Sequence, residues 1–165
     1  MTPISGPNLQ VGPKMYNAYG NLEQDKSQGS TRLHLDVTGA VNIMLYAANL
    51  PDNSPGSAVW HIFPSSATAL LRDFLREDPS IGYKGPGDPI HDQAIYLSPP
   101  LLTRLATTYR IHPYTIFQMP GDAVFIPAGC AHQVSVRCHV TVHILISICY
   151  RSATRWMPSR LRVTS

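Results

Sequence analysis

Prolines and glycines constrain this chain more than any other feature. Fifteen prolines and eleven glycines interrupt its 165 residues. Proline removes a backbone donor and fixes φ, and glycine weakens the interior of helices and strands. Such a chain is built from short strands and tight turns, not long helices. Strand composition appears at Lys14–Tyr19, Thr31–Ala47, Ala58–Phe63, Thr115–Met119, Ala123–Ile126 and Val134–Ser147, with a further strand expected at the end of Asp88–Leu97. Only two stretches have a helical period: Ser65–Glu77, with Leu70, Leu71, Phe74 and Leu75, and Pro99–Tyr109, with Leu101, Leu102 and Leu105. The pattern is mainly β with a helical insert, which favours a sandwich or barrel. No internal repeat and no dividing linker is visible.

The apolar share, 44%, is ordinary for one globular domain with one core. A formal charge of +3 is too small to argue for nucleic acid, and no nucleic-acid motif accompanies it. Much of the excess comes from Arg151, Arg155, Arg160 and Arg162, which meet no acid in the last fifteen residues. Cys130, Cys138 and Cys149 are odd in number and lack CxxC spacing, so neither a disulfide framework nor a zinc ribbon is supported. The N-terminus has no signal-peptide pattern, and the apolar run Val140–Tyr150 is too short to span a membrane.

The chemistry is concentrated in two places. In "STRLHLDV", His34 and Asp36 stand two residues apart, so in a strand both would look into one space. That suits a metal, or a salt-bridged pair on a wet sheet face. About a hundred residues later, "GDAVFIPAGCAHQV" places His132 just past a tight turn, at a strand mouth. Two imidazoles and one carboxylate form the facial set that leaves open positions on non-haem Fe(II). Each half is weak alone, and their ordered combination is much more specific.

Together with "GPKMYNAYG", "WHIF" and "DPIHDQAIYL", these motifs resemble a JmjC domain of the histone H3 lysine-9 demethylase subfamily, over roughly residues 12–134. The resemblance implies a double-stranded β-helix, a cupin-like jelly roll. It implies Fe(II) held by His34, Asp36 and His132, with 2-oxoglutarate as cosubstrate. Thr31, three positions before the first ligand, would donate to the distal carboxylate of 2-oxoglutarate. Asn42 matches an asparagine that often holds the cosubstrate, and a polar residue satisfied within the sheet is an equal reading. Trp60 would wall the pocket, or serve as a buried core tryptophan. His61 should face away from Trp60, His91 and Asp92 read as a loop-capping signature, and His112 carries no argument. The implied partners are a methylated histone H3 tail and chromatin, and the implied location is the nucleus. Of the acids, Glu23, Asp25, Asp73, Glu77, Asp78 and Asp88 could line a groove for a basic tail.

After "HQV" the resemblance stops. The family continues with a strand of the pattern K-V-A-x-D-F, whose lysine would bridge the distal carboxylate. The alternative lysine position of other JmjC enzymes falls near Ala58. This chain reads "SVRCHVTVHILISICYRSATRWMPSRLRVTS" instead. Ala153–Ser165 can be encoded so that, two nucleotides later, the string reads Asp-Ala-Met-Asp-Ala-Val-Lys-Val-Ala-Cys-Asp-Phe. The Trp-Met-Pro codons force the inner Asp-Ala, and Val134-Ser135 fits a retained splice donor. Residues 1–134 therefore read as the JmjC core, and 135–165 as an out-of-frame or intron-derived tail.

Three functions are compatible with these residues. The first is an Fe(II)- and 2-oxoglutarate-dependent dioxygenase that demethylates histone lysine in chromatin regulation. The second is an inactive JmjC-like fragment, and the third a metal-binding cupin module without 2-oxoglutarate turnover.

Overall fold

The computed structural model describes residues 13–19, 31–137, 140–148 and 159–162. Cys138, Cys149, Glu23, Asp25 and most of Ala153–Ser165 lie outside them. The chain order is β1 (Pro13–Tyr19), β2 (Thr31–His34), β3 (Gly39–Ala47), β4 (Ser57–Ile62), a 3-10 turn (Ser65–Ala67), α1 (Thr68–Glu77), α2 (Pro99–Tyr109), β5 (Tyr114–Gln118), β6 (Asp122–Ile126), β7 (His132–Arg137), β8 (Val140–Ile148) and β9 (Ser159–Arg162). The strands form a five-stranded sheet ordered β1-β8-β3-β6-β9 and a four-stranded sheet ordered β2-β7-β4-β5. Every pairing is antiparallel. The two-sheet jelly roll with a helical insert agrees with the fold expected from the sequence.

Period-2 alternation builds the space between the sheets. On β4, Ala58, Trp60 and Ile62 are buried inward and alternate with less buried neighbours. Met44, Val124, Ile126, Val134 and Val136 meet them there. A second core, with Leu33, Phe63, Leu71, Phe74, Leu75 and Leu105, packs the helical insert against the chain. The helical period of α1 is real, but it buries Leu71, Phe74 and Leu75 while Leu70 stays 47% exposed. Proline at the first turn starts α2, and a left-handed Arg110 ends it.

The long apolar stretches divide. Thr31–Ala47 becomes β2 and β3 with a break at residues 35–38, and β7 and β8 share the run from 134 to 147. The sequence VTVHILISI of β8 is rich in β-branched residues. It lies between β1 and β3, with Leu145 opposite Asn42 and His143 opposite Met44 in the register.

The strand expected at the end of Asp88–Leu97 is absent. Among the described residues that segment forms no ladder with a strand, and a side chain supplies most of its pairing. The buried Gln133 amide accepts from Leu97 N–H at 2.8 Å and donates to Leu97 C=O at 2.8 Å. Leu33 N–H donates to Ile95 C=O at 2.9 Å. Gln133→Leu orphans both buried polar groups of Leu97, and should lower stability by about 2–4 kcal/mol in chemical denaturation. A loss under ~0.5 kcal/mol would show that water or another group satisfies Leu97 instead.

Candidate metal centre

The site begins with a register irregularity. Thr31 pairs with Val134 and His34 pairs with His132, so three steps along β2 match two along β7. In a regular strand, Thr31 and His34 would face opposite sides. The bulge absorbs one residue and brings both onto one face. The same β7 residues face β4, where Trp60 opposes Val134 and Ile62 opposes His132. Thr31, Val134 and Trp60 thus form one cross-strand row, and His34, His132 and Ile62 the next.

His34 is the last residue of β2, and Asp36 lies beyond the strand rather than within it. The loop is held from across the site, where Gly129 N–H donates to Asp36 C=O at 3.2 Å. Cys130 N–H donates to Pro127 C=O at 3.2 Å and closes the turn that carries Gly129. Gly129 has φ +75°, a conformation that glycine adopts without penalty. That turn delivers His132 as the first residue of β7.

His34, Asp36 and His132 each offer a donor atom, and these atoms lie within 4.8 Å of one another. Among the described residues no other group of three His, Cys, Asp or Glu side chains converges in this way. Both imidazoles are oriented by the same device. His34 Nδ1 donates to Arg32 C=O at 2.9 Å, and His132 Nδ1 donates to Cys130 C=O at 3.0 Å. A carbonyl can only accept, so in each neutral ring Nε2 carries the lone pair that a metal requires. His132 is nearly fully buried. Burial, and then neighbouring His34, push its imidazole down to about 4, against the Cys130 carbonyl and Asp36. At neutral pH it is therefore uncharged, the form that ligates. His132 Nε2 and Asp36 Oδ2 are 3.8 Å apart, too far for a hydrogen bond. With His132 neutral, the contact is not an ion pair, and the donor set fits a divalent ion between the two groups.

Trp60 stands against this cluster. Its ring lies 6.1 Å from that of His132 at 25°, and it is buried in the core between the sheets. Asn42 is also buried, and its Oδ1 accepts from Gln118 Nε2 at 3.1 Å. Thr31 is half-buried in the row beside the histidines. The structure thus brings Thr31 and Trp60 to the metal cluster's rows and binds Asn42 into the polar link between the sheets.

The other histidines stand apart. His61 lies on the opposite face of β4 from Trp60, with its Nδ1 3.3 Å from Gln133 Nε2, and burial lowers its basicity. His91 and His112 are exposed. Asp92 accepts from the Tyr83 hydroxyl. Several acids proposed for a basic tail are engaged: Asp88 with Arg72 at 2.6 Å, Asp78 with Arg104 at 3.0 Å and Glu77 with Tyr109 at 2.7 Å. Gln118 and Gln133 read as ordinary polar residues in the sequence, yet both are fully buried. Gln118 left a signal, because it is a polar residue continuing the inward phase of Ile116.

Removing one of three ligands leaves too few donors for tight binding. His34→Ala and His132→Ala should each weaken Co(II) binding at least 100-fold, read from the visible d–d spectrum. His61→Ala should leave the spectrum unchanged. Equal loss in all three variants would contradict this assignment.

A model of the family described as JmjC domain, hydroxylase matches residues 26–144. Lysine-specific demethylase 3 of Drosophila melanogaster is 40% identical over 159 residues, covering 75% of this chain and 18% of that protein. Lysine-specific demethylase 3A of Homo sapiens is 38% identical over 157 residues, covering 75% of this chain and 12% of that protein. The chain spans less than a fifth of the length of these relatives. The family match contains the two histidines, the aspartate and the bulged strand, and this chain belongs to the JmjC domain family.

Proposed function

We propose that this chain carries an Fe(II)- and 2-oxoglutarate-dependent oxygenase site that demethylates lysine in the histone H3 tail, of the lysine-9 type, in nuclear chromatin. The observation that carries the reading is the convergence of His34, Asp36 and His132 with both imidazoles held in the ligating tautomer. The demethylase names of the relatives support the substrate class. Bound Fe(II) with 2-oxoglutarate and O2 would supply oxidation of an N-methyl group, which leaves as formaldehyde while the cosubstrate becomes succinate and CO2.

The chain's own residues have simpler tasks. His34 and His132 offer Nε2 lone pairs, and Asp36 supplies the negative charge that balances a divalent ion. Leaving open positions on the ion follows from providing only three donors. Thr31 donates its hydroxyl to the distal carboxylate of 2-oxoglutarate. Asn42 and Trp60 line the cosubstrate's place, and the apolar interior around Trp60 excludes water.

A second reading is favoured by β8, which contains neither lysine nor arginine. The family's lysine would be absent from the cosubstrate clamp, and the chain would be an inactive JmjC fragment or a metal-binding cupin module. Residues 135–165 would then be out-of-frame or intron-derived, and a transcript spliced at codon 134 should restore the lysine strand. Transcripts with no such splice form would count against that origin.

Mass spectrometry of an H3 peptide methylated at lysine 9 separates the two readings. The oxygenase reading expects methyl loss with Fe(II) and 2-oxoglutarate, abolished in Asp36→Ala. Metal binding without methyl loss favours the second reading.

A further inference from the structure

We propose that Gln118 is a positioning residue of the metal centre, whose buried amide holds the Trp60 indole against His132 and sets the orientation of the Asn42 amide. Gln118 is fully buried at the end of β5. On one side its Oε1 accepts from Trp60 Nε1–H at 2.8 Å. On the other, its Nε2 donates to Asn42 C=O at 3.0 Å, Asn42 Oδ1 at 3.1 Å and Asp122 C=O at 3.1 Å. Two of these acceptors are backbone carbonyls of β3 and β6 in the five-stranded sheet, so they form a rigid anchor. Trp60 belongs to the four-stranded sheet. One side chain thus joins both sheets at the residue that stacks on a ligand.

The consequence for the site is geometric. The Cys130 carbonyl fixes His132 through Nδ1, within the plane of the ring. The indole face, 6.1 Å away at 25°, limits the tilt of that plane. The His34 ring, 4.1 Å away at 55°, also restrains it. An indole without its Gln118 acceptor is freed to turn, so the tilt of His132 loses the restraint on the Trp60 side. The bond to Asn42 Oδ1 also fixes the flip of that amide, with its NH2 on the other arm.

The positional claim stands on these contacts alone, and its effect on 2-oxoglutarate rests on the proposed function. The test uses the full metal-free chain, labelled for NMR. Gln118→Met keeps the side-chain volume and removes every bond. It should shift the His132 ring protons and accelerate exchange of the Trp60 indole N–H by about tenfold or more. Val136→Ala, a cavity in the same core, should lower Tm and move neither signal. If Gln118→Met lowers Tm with both signals unmoved, Gln118 is only a structural staple and the proposal fails. If that variant does not fold, Gln118→Glu keeps the oxygen to which Trp60 donates and, as the protonated acid, a donor toward the oxygens of Asn42 and Asp122. A protected indole N–H with the His132 ring protons at their wild-type positions supports the proposal there, and shifted His132 ring protons beside a protected indole overturn it. With Fe(II) under anaerobic conditions, Gln118→Met should weaken metal binding about tenfold, and 2-oxoglutarate binding with it. A wild-type chain that holds metal but no 2-oxoglutarate would contradict the proposed function, and the NMR comparison would still decide the role of Gln118.

Discussion

The pairing of β2 with β7 is the constraint on which the site depends. It sets His34 opposite His132 and, through the bulge, turns Thr31 to the same side. A regular ladder would send Thr31 or His34 to the outer face, because side chains alternate along a strand. The loop after β2 and the turn before β7 are joined by one hydrogen bond, from Gly129 to Asp36. The three candidate ligands therefore come from short elements whose mutual placement is fixed by backbone bonds.

Around this pairing, two buried glutamine amides do what additional strands would do elsewhere. Gln133 holds the strandless segment at Leu97 against the outer side of β7, and Gln118 joins the two sheets on the inner side. Both are fully buried, where every unmade bond is costly and every made bond specifies one arrangement. In β8, by contrast, a place in a sheet demands only alternation and β-propensity. VTVHILISI meets that demand without a single cation.

The strands were legible where alternation was strong, as at Ala58, Trp60 and Ile62, and both helices followed their apolar period. The metal cluster was legible because His34, Asp36 and His132 lie in motifs with turn residues at fixed offsets. The bulge was not, since it depends on the register of a partner strand a hundred residues away. That dependence also hid Asp36, which reads as a strand residue and lies beyond the strand. The end of Asp88–Leu97 has strand composition but lacks a partner strand, so propensity alone misplaced it. Gln118 and Gln133 look like ordinary polar residues until tertiary structure supplies their partners.

Three side chains converge at one bulged strand pair and the loop that follows it, where they could hold a single metal ion. Crystals of the chain grown anaerobically with Fe(II), with diffraction recorded on both sides of the iron absorption edge, test that binding most directly. One anomalous peak is expected, bonded to His34 Nε2, His132 Nε2 and an Asp36 carboxylate oxygen. Iron bound only elsewhere, or an absence of iron between these three residues, would contradict it.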